Sequence, residues 1–404
     1  MHGRRPNTAC DRSREEDRRP TGNLQAGATK SRGRSRFEVD KPLKILIVKV
    51  SSLGDVVHTL PVLYYLKSAH PGLTLDWIVE EPFSQILVNH PLLHRLHLLH
   101  TKRWRKHPFE SSGLREVLRL HRAVRKERYD VVLDLQGNTK SGAVTLLTGA
   151  PSRFGFPASH VREWPNLLAT NRKVRPVSEL LHITDRNLAV AQAAFPGGSP
   201  PPPSGYLFAE ESRHREVDEY FERHRLGDRP TAVFLYGASW KTKLWDRDHW
   251  KRLVASTVKD LGMDVLLTWA SEEERAACID IRGSWDGRVL LWPRSHLKTV
   301  LALLEKAHVV VGGDTGLIHM AAAAGTPTVS LYFVTSGRRN GPRGPLHRCL
   351  QSSMPCSPCL KKGCGHRVAC GRSIPVSAVL SAIGEVLDIG SSGGSRGSTP
   401  GTGT

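Results

Sequence analysis

The chain has 404 residues, of which 39% are hydrophobic, 24% charged and 6% aromatic; this predicts two or three domains with real cores and excludes a collagen-like repeat, a wholly disordered chain and a small disulfide scaffold. Lys and Arg number 58 against 38 Asp and Glu, a net charge of +20 that favours a polyanionic partner: nucleic acid, an anionic membrane face or a phosphorylated ligand. No stretch of about 18 apolar residues is free of charge and proline, which excludes a polytopic membrane protein; no apolar segment follows the basic start MHGRRPNTACDRSREEDRRP, so no secretory signal is expected and the chain reads as cytosolic.

Residues 1–40 lack apolar periodicity and read as a disordered basic extension. From 41 to 199 short β-branched runs alternate with helical segments. LKILIVKV (43–50) is a strand, followed by the turn SSLGD and an amphipathic stretch with Val57, Leu60, Leu63 and Leu66 near helical spacing. LTLDWIV (73–79) and YDVVLDL (129–135) are further strands, the latter followed by the helical SGAVTLLTG. The run PGGSPPPPSG, Pro196 to Gly205, is the strongest linker signal and sets a Pro-rich linker at 200–206. From 207 to 388 the grammar repeats: TAVFLYG, MDVLLTW, VLLW, AHVVVGG and PTVSLYF are strands separated by helices. The Gly/Ser-rich end, 389–404, reads as a disordered tail. Strands alternating with helices imply parallel βαβ units with both sheet faces covered, here twice over, with a ligand cleft between the halves.

In such sheets ligands collect at the carboxyl ends of strands, where helix N-termini present unpaired N–H groups. The first turn is Ser51-Ser52-Leu53-Gly54-Asp55, with Asp55 either facing the cleft or merely capping its helix. It is neither a Walker loop nor a G-x-G-x-x-G fingerprint. The second turn, Gly312 to His319, has glycines that admit a ligand to the backbone and a helix dipole that favours phosphate. Thr315 can donate from hydroxyl and backbone, His319 is a ligand contact or a packed histidine, and Asp314 suits a loop organiser or a sugar-hydroxyl contact better than a phosphate site. In GASWKTKLW (237–245) Ser239 and Lys243 can hold a diphosphate, with Lys241 as alternative, or the loop is simply basic. The helix start Ser271-Glu272-Glu273-Glu274 can offer a carboxylate to ribose hydroxyls or only complement the dipole. TKRWRKHPF (101–109) suits phosphates on lipid or nucleic acid, or is a solvated loop; Arg153, Arg162, Arg172 and Lys173 extend the basic character.

Five of seven cysteines fall in one window, Cys349-x6-Cys356-x2-Cys359-x4-Cys364-x5-Cys370, with His366 inside it. Cys356, Cys359, Cys364 and Cys370 are candidate ligands of a closed structural zinc site or an iron–sulfur cluster, although the spacing matches neither the common zinc-finger nor the ferredoxin pattern.

Together the motifs resemble the lipopolysaccharide heptosyltransferases of glycosyltransferase family 9. VKVSSLGDVVHTLP resembles that family's opening turn, GASWKTKLWDRDHW its diphosphate-binding segment, and GGDTGLIHMAAAAGTPTVSLY its nucleotide-sugar signature, over about Lys44 to Leu387. DWIVEEPFSQI and RWRK (103–106) resemble the type I branch; CSPCLKKGC is more typical of type II-like sequences. The resemblance implies an α/β GT-B fold, two Rossmann-like doubly wound domains facing across a cleft, with an N-terminal acceptor domain and a C-terminal ADP-sugar domain. It implies ADP-heptose as donor, Kdo-lipid A as acceptor, inversion at the anomeric carbon, no cofactor required for catalysis, and a cytoplasmic enzyme docked peripherally on the anionic inner-membrane surface. Carried over by position, Asp55 is the general base. Ser239, Lys243, Glu272, Asp314, Thr315, Gly316, Leu317 and His319 bind the donor. Lys49, Ser51, Ser52, Lys102, Arg103, Arg105 and Lys106 serve the acceptor. No Asp-x-Asp stands where it would hold a divalent ion on the diphosphate. Two rival readings are a sibling transferase with another acceptor, heptosyltransferase II included, and a zinc-containing nucleic-acid-binding protein; the first reading expects no nucleic-acid partner.

Overall fold

β-Branched and aliphatic runs that can be covered on both faces become central parallel strands, and in a computed structural model of the chain they organise two six-stranded sheets. The structure describes residues 42–101, 111–175 and 182–392. The first sheet contains β1 (Lys44–Val48), β2 (Thr74–Glu80), β3 (Arg95–Leu99), β4 (Val131–Asp134), β5 (Ser152–Gly155) and β6 (Arg172–Lys173), in the order β3-β2-β1-β4-β5-β6. The second contains β7 (Thr231–Leu235), β8 (Asp264–Thr268), β9 (Val289–Leu291), β10 (Val309–Gly313), β11 (Thr328–Tyr332) and β12 (His347–Gln351), in the order β12-β11-β10-β7-β8-β9. Every pairing is parallel. Each sheet is thus doubly wound, and the order reverses between β1 and β4 and between β7 and β10. Those two switch points open the crevices in which such folds bind ligands.

Side chains alternate along each central strand. Ile45 and Ile47 enter one apolar cluster, Leu46 and Val48 another; Ala232 and Phe234 face away from Val233 and Leu235. One cluster is common to both sheets, joining Ile45, Ile47, Val131 and Leu133 to Val233, Leu235, Leu266 and Val310. Each fully buried aliphatic residue there contributes about 1.5–3 kcal/mol relative to exposure. The halves therefore share a core, and what faces across between them is the set of loops at the strand carboxyl ends.

Four strands have no counterpart in the sequence reading: β3, β5, β6 and β12. Three of them are sheet edges, and their residues are correspondingly mixed or exposed, so they carry no apolar run. The Pro-rich stretch is fastened rather than free. The Tyr65 hydroxyl donates to the Phe195 carbonyl at 2.8 Å, the Tyr64 hydroxyl to Gly205 at 3.0 Å, and the Gly205 N–H to Ala323 at 2.8 Å. The last helix, Val376–Ser392, runs past the predicted boundary at 388. With the preceding helix it makes a stretch, Arg367–Gly390, apolar and long enough to span a membrane by composition; Val379, Ala382, Ile383 and Val386 are buried in a core cluster, which makes it a core element.

Two glycines set the distance between the halves. A methyl on Gly54 would lie 2.8 Å from Cδ2 of His319, and one on Gly316 would lie 2.6 Å from Cβ of Leu53. The helices Leu53–Val57 and Gly316–Ala324 thus meet start to start, with a glycine from each side as spacer. Gly316→Ala is expected to lower unfolding stability by about 1–3 kcal/mol through overpacking, read from urea denaturation; an unchanged midpoint would mean the contact is loose. The halves are also joined where the Leu297 N–H donates to Gln85 Oε1 at 2.8 Å and, at the surface, where Arg343 forks Asp185 at 2.7 and 2.8 Å.

Candidate active site

Asp55 is the third residue of the helix Leu53–Val57, whose N-cap is Ser52. Its Oδ2 accepts the Ser52 N–H at 3.0 Å, while Oδ1 faces Arg162 at 2.9 Å and Lys49 Nζ at 3.9 Å. The capping role and the outward-facing role thus fall to different oxygens of one carboxylate. Burial pushes the Asp55 carboxyl up, but the charges of Lys49 and Arg162 and the Ser52 N–H outweigh it and hold its pKa below the ordinary value. The turn itself is pinned from the next strand: Gln136, just past β4, accepts the N–H groups of Val50 and Ser51 at 3.2 Å each. Ser51 is half-buried and Ser52 exposed.

Lys49, expected to reach the acceptor, points inward instead. It is 1% exposed, and its ammonium donates to the Leu135 carbonyl at 2.6 Å. Burial pushes it from an ordinary 10.5 down to about 8, against the pull of Asp55. The unfolded chain keeps this proton up to about 10.5, so between pH 8 and 10.5 the unfolded state binds more protons and stability rises with pH. Denaturation at pH 8 and pH 10 should therefore show the wild type gaining about 1–3 kcal/mol over Lys49→Met across that interval; parallel behaviour would refute the depressed pKa.

Across the glycine contact lies the loop after β10. Lys243, in the turn that follows β7, donates to Asp314 Oδ2 at 2.7 Å and to its carbonyl at 3.1 Å, and lies 4.9 Å above the Trp240 ring. The second Asp314 oxygen accepts from His319 Nε2 at 3.1 Å. Burial pushes the Asp314 carboxyl up, but His319 and Lys243 hold it far below the carboxylate range. Asp314 is therefore a loop organiser in this state. Thr315 is the N-cap of the helix Gly316–Ala324, yet its hydroxyl makes no cap hydrogen bond and, among the described residues, is buried without a partner. The first N–H groups of that helix are left for a ligand. Leu317 is half-buried beside them.

The remaining donor candidates sit further out. Ser239 is exposed on the loop after β7. Glu272 opens the helix Glu272–Arg282 with its side chain 78% exposed, near Arg275 at 3.7 Å. Glu274 turns back instead and accepts the Ala270 N–H at 2.7 Å.

The comparisons with known proteins bear on this arrangement directly. The profile of glycosyltransferase family 9 (heptosyltransferase) matches residues 117–368. Lipopolysaccharide heptosyltransferase 1 of Pseudomonas aeruginosa is 34% identical over 330 residues, 80% of this chain and 88% of the relative. The chain belongs to glycosyltransferase family 9. Lipopolysaccharide heptosyltransferase 1 of Escherichia coli K12 is 32% identical over 300 residues, 72% of this chain and 88% of the relative. Among solved structures, E. coli heptosyltransferase WaaC with ADP superposes with a TM-score of 0.70 at 28% identity, covering 85% of this chain and all of that one. E. coli ADP-heptose heptosyltransferase II gives 0.67 at 21% identity, over 86% of this chain and 100% of that one. The fold is GT-B, and the chain is a glycosyltransferase of the heptosyltransferase family. Membership removes the ground for the nucleic-acid-binding alternative, which left the two wound sheets without a task.

The four candidate cysteine ligands lie near one another, since burial and the neighbouring Cys356, Cys359 and Cys364 push the Cys370 thiol up. Cys356 is exposed, Cys359 and Cys364 are half-buried and Cys370 is buried, all as free thiols. Among the described residues no three His, Cys, Asp or Glu side chains are grouped to hold a metal ion. Cys349 belongs to strand β12, and Cys370 to a short helix whose thiol neighbours Ser352. Lys102, Arg103, Arg105 and Lys106 lie outside the described residues.

Some site residues escaped the sequence reading. Arg162 was noted only as basic, although it is the ion-pair partner of Asp55. Gln136 could have been found from its position just past a strand at the switch point. His58 and His182 join His319 in a buried row, with ring centroids 4.4 Å apart for His58 and His319 and 5.2 Å for His58 and His182. Burial keeps His58 neutral, aided by the two neighbouring imidazoles, and pushes His182 down to about 4.

Proposed function

We propose that this enzyme transfers L-glycero-D-manno-heptose from ADP-heptose to the Kdo-lipid A inner core, inverting the anomeric carbon, with Asp55 as general base. The observation that carries the reading is the start-to-start contact of two helices across Gly54 and Gly316, which brings the Asp55 turn against the Lys243–Asp314–His319 network. A sugar hydroxyl is a weak nucleophile at neutral pH, and a positioned carboxylate is worth about 10²–10⁴-fold in rate. The hydroxyl oxygen bonds to the anomeric carbon, its proton passes to Asp55, and the bond to the diphosphate breaks with ADP taking the electron pair. Attack and departure on opposite faces invert the configuration. Lys243, the Thr315 hydroxyl and the N–H groups opening the helix Gly316–Ala324 meet the charge that develops on ADP without reorganising. Ser239 takes a diphosphate oxygen, Glu272 the adenosine ribose, and Asp314 and His319 the heptose hydroxyls. None of these roles calls for a metal ion.

Four relatives at 32–34% identity bear the name heptosyltransferase 1 and a fifth of that name matches at 23%, while those named 2 and 3 match at 24% and 25%; the four favour addition of the first heptose. The net charge of +20 fits a phosphorylated lipid acceptor and peripheral docking on the anionic cytoplasmic face of the inner membrane, with Lys102, Arg103, Arg105 and Lys106 toward the lipid. Incubating the full-length protein with ADP-heptose and Kdo-lipid A should give heptosylated lipid with one ADP per transfer. Transfer only to an already heptosylated acceptor would contradict the type I reading, and ADP release without product would contradict the acceptor.

A further inference from the structure

In one short element of the N-terminal half, polar and apolar residues exchange their usual places. The helical turn Trp164–Leu168 buries Asn166 completely, and its amide donates to Asp134 Oδ2 at 2.6 Å and to the Asn138 carbonyl at 3.0 Å. Trp164 and Leu168 turn outward instead. At 71% and 72% exposure they are the two most exposed large hydrophobic side chains among the described residues. Such side chains ordinarily gain their stability by burial; here the polar residue holds the turn in place and the apolar ones are left on the surface. The helix Thr139–Thr148 continues that surface. It packs against the turn at Gly142, where a methyl would lie 3.2 Å from Asn166 and 3.3 Å from Ala169. Its exposed positions are Thr139, Ala143 and Leu146, one helical stripe with Leu146 50% exposed. That stripe carries no charge, contrary to the outer face of an ordinary surface helix.

Cations flank this apolar surface. Residues 138–175 contain six Lys and Arg and a single carboxylate, Glu163, which accepts the Thr139 N–H at 2.9 Å. Lys173 donates to the Leu167 carbonyl at 2.8 Å and Arg153 to the Ala169 carbonyl at 2.7 Å, fixing two charges at the end of the turn. Arg172 is exposed beside Lys173 on the edge strand β6, and the Arg125 guanidinium lies against Gly149, which caps the helix just past Leu146. Exposed Trp and Leu flanked by Lys and Arg are what an anionic bilayer complements: the indole sits at headgroup level, the aliphatic chain goes deeper, and the cations meet acidic lipid. The surface also adjoins the candidate base, because Arg162, two residues before Trp164, is the ion-pair partner of Asp55 at 2.9 Å.

We propose that Trp164, Leu168 and Leu146 form a membrane-insertion face, seated in the interfacial layer of an anionic bilayer with Arg172 and Lys173 on its headgroups. The inference deepens the acceptor reading above and rests on it for the choice of a lipid surface as occupant. With this face bordering the Asp55 turn, a lipid-linked acceptor presents its sugar to the carboxylate while its acyl chains stay in the bilayer. The enzyme then meets its acceptor in the plane of the membrane.

The test uses the full-length protein and vesicles of phosphatidylethanolamine and phosphatidylglycerol that hold no acceptor. The wild type should float with them, and less so at high salt. Trp164→Ala combined with Leu168→Ser should lower the partition coefficient about 10- to 100-fold, and Leu146→Ser by a smaller factor. Ile279→Ser, which removes a side chain 40% exposed on the other half, should leave binding unchanged. The double variant should keep its melting temperature, since both side chains are exposed. On Kdo-lipid A embedded in the same vesicles it should lose about 10-fold in kcat/KM through weaker partitioning, yet match the wild type on the deacylated, water-soluble acceptor. Equal vesicle binding by wild type and double variant, an equal loss in Ile279→Ser, or binding retained in full on neutral phosphatidylcholine vesicles overturns the face. An equal loss of transfer on both acceptors also overturns it, by making the turn a support of the active site. A wild type that ignores vesicles but forms dimers in light scattering, abolished in the double variant, would give the face to a second copy instead. Vesicle binding is read without donor or acceptor, so its loss in the double variant upholds the face even if transfer to Kdo-lipid A fails.

Discussion

Replacing Asp55 with alanine is expected to lower the turnover of heptose transfer by about 10²–10⁴-fold while leaving donor affinity unchanged. The two oxygens of this carboxylate have separate tasks, so a second variant separates the effects. Asp55→Asn keeps an acceptor for the Ser52 N–H, now 3.0 Å from Oδ2, and should therefore hold the helix start and the melting temperature, yet it cannot take a proton and should be as inactive as the alanine variant. Asp55→Ala should in addition lose about 1 kcal/mol of stability through the broken capping contact. An Asn variant with near-normal turnover would restrict Asp55 to capping. The depressed pKa adds a sign: Lys49, Arg162 and the Ser52 N–H hold the Asp55 carboxyl below its ordinary value, so titration of Asp55 in the free enzyme should produce no fall in kcat/KM between pH 7 and about 5. Arg162 occupies Oδ1 at 2.9 Å and must yield that oxygen when an acceptor hydroxyl arrives.

Lys243→Ala should reduce kcat/KM by about 10²–10³-fold, the scale of losing one preorganised donor to a developing anion. It should also raise the donor KM. Lys243 has a second duty, because it holds both Asp314 Oδ2 and the Asp314 carbonyl. Removing it leaves a buried carboxylate with His319 alone, a loss of about 1–3 kcal/mol visible in thermal denaturation. Pairing Lys243→Met with Asp314→Asn removes the stranded charge. The double variant should regain stability and still fall well below the Asp314→Asn single variant in kcat/KM, which separates diphosphate stabilisation from loop support. Activity equal to that of the Asp314→Asn single variant would show that Lys243 acts only through Asp314.

What the sequence made legible follows burial. The central strands β1, β4, β7, β8, β10 and β11 are buried along their length and must be apolar throughout, so they stand out as runs. β3, β6 and β12 are edges with exposed residues, and two-residue β6 has no pattern to find. The loops bearing Asp55, Lys243 and Asp314 were readable because parallel sheets place ligands at strand carboxyl ends. Their partners were not. Arg162 lies 107 residues from Asp55 in a loop without periodicity, and only the tertiary fold brings the two together. Lys49 looks like any basic residue at a strand end until its burial turns it inward. The spacing of Cys356, Cys359, Cys364 and Cys370 invited a metal, but spacing along the chain does not fix where thiols point, and among the described residues no three such side chains are grouped to hold an ion.

In the proposed mechanism Asp55 stands across from the diphosphate pocket, with the acceptor hydroxyl between. A crystal structure of the Asp55→Asn variant with ADP-heptose and a Kdo-containing acceptor tests it most directly. The acceptor hydroxyl is expected within about 2.6–3.2 Å of residue 55, with the anomeric carbon beyond it and the diphosphate on the far side against Lys243 and Thr315. A ternary complex in which another carboxylate or imidazole contacts that hydroxyl, with residue 55 turned away from the sugar, would contradict it.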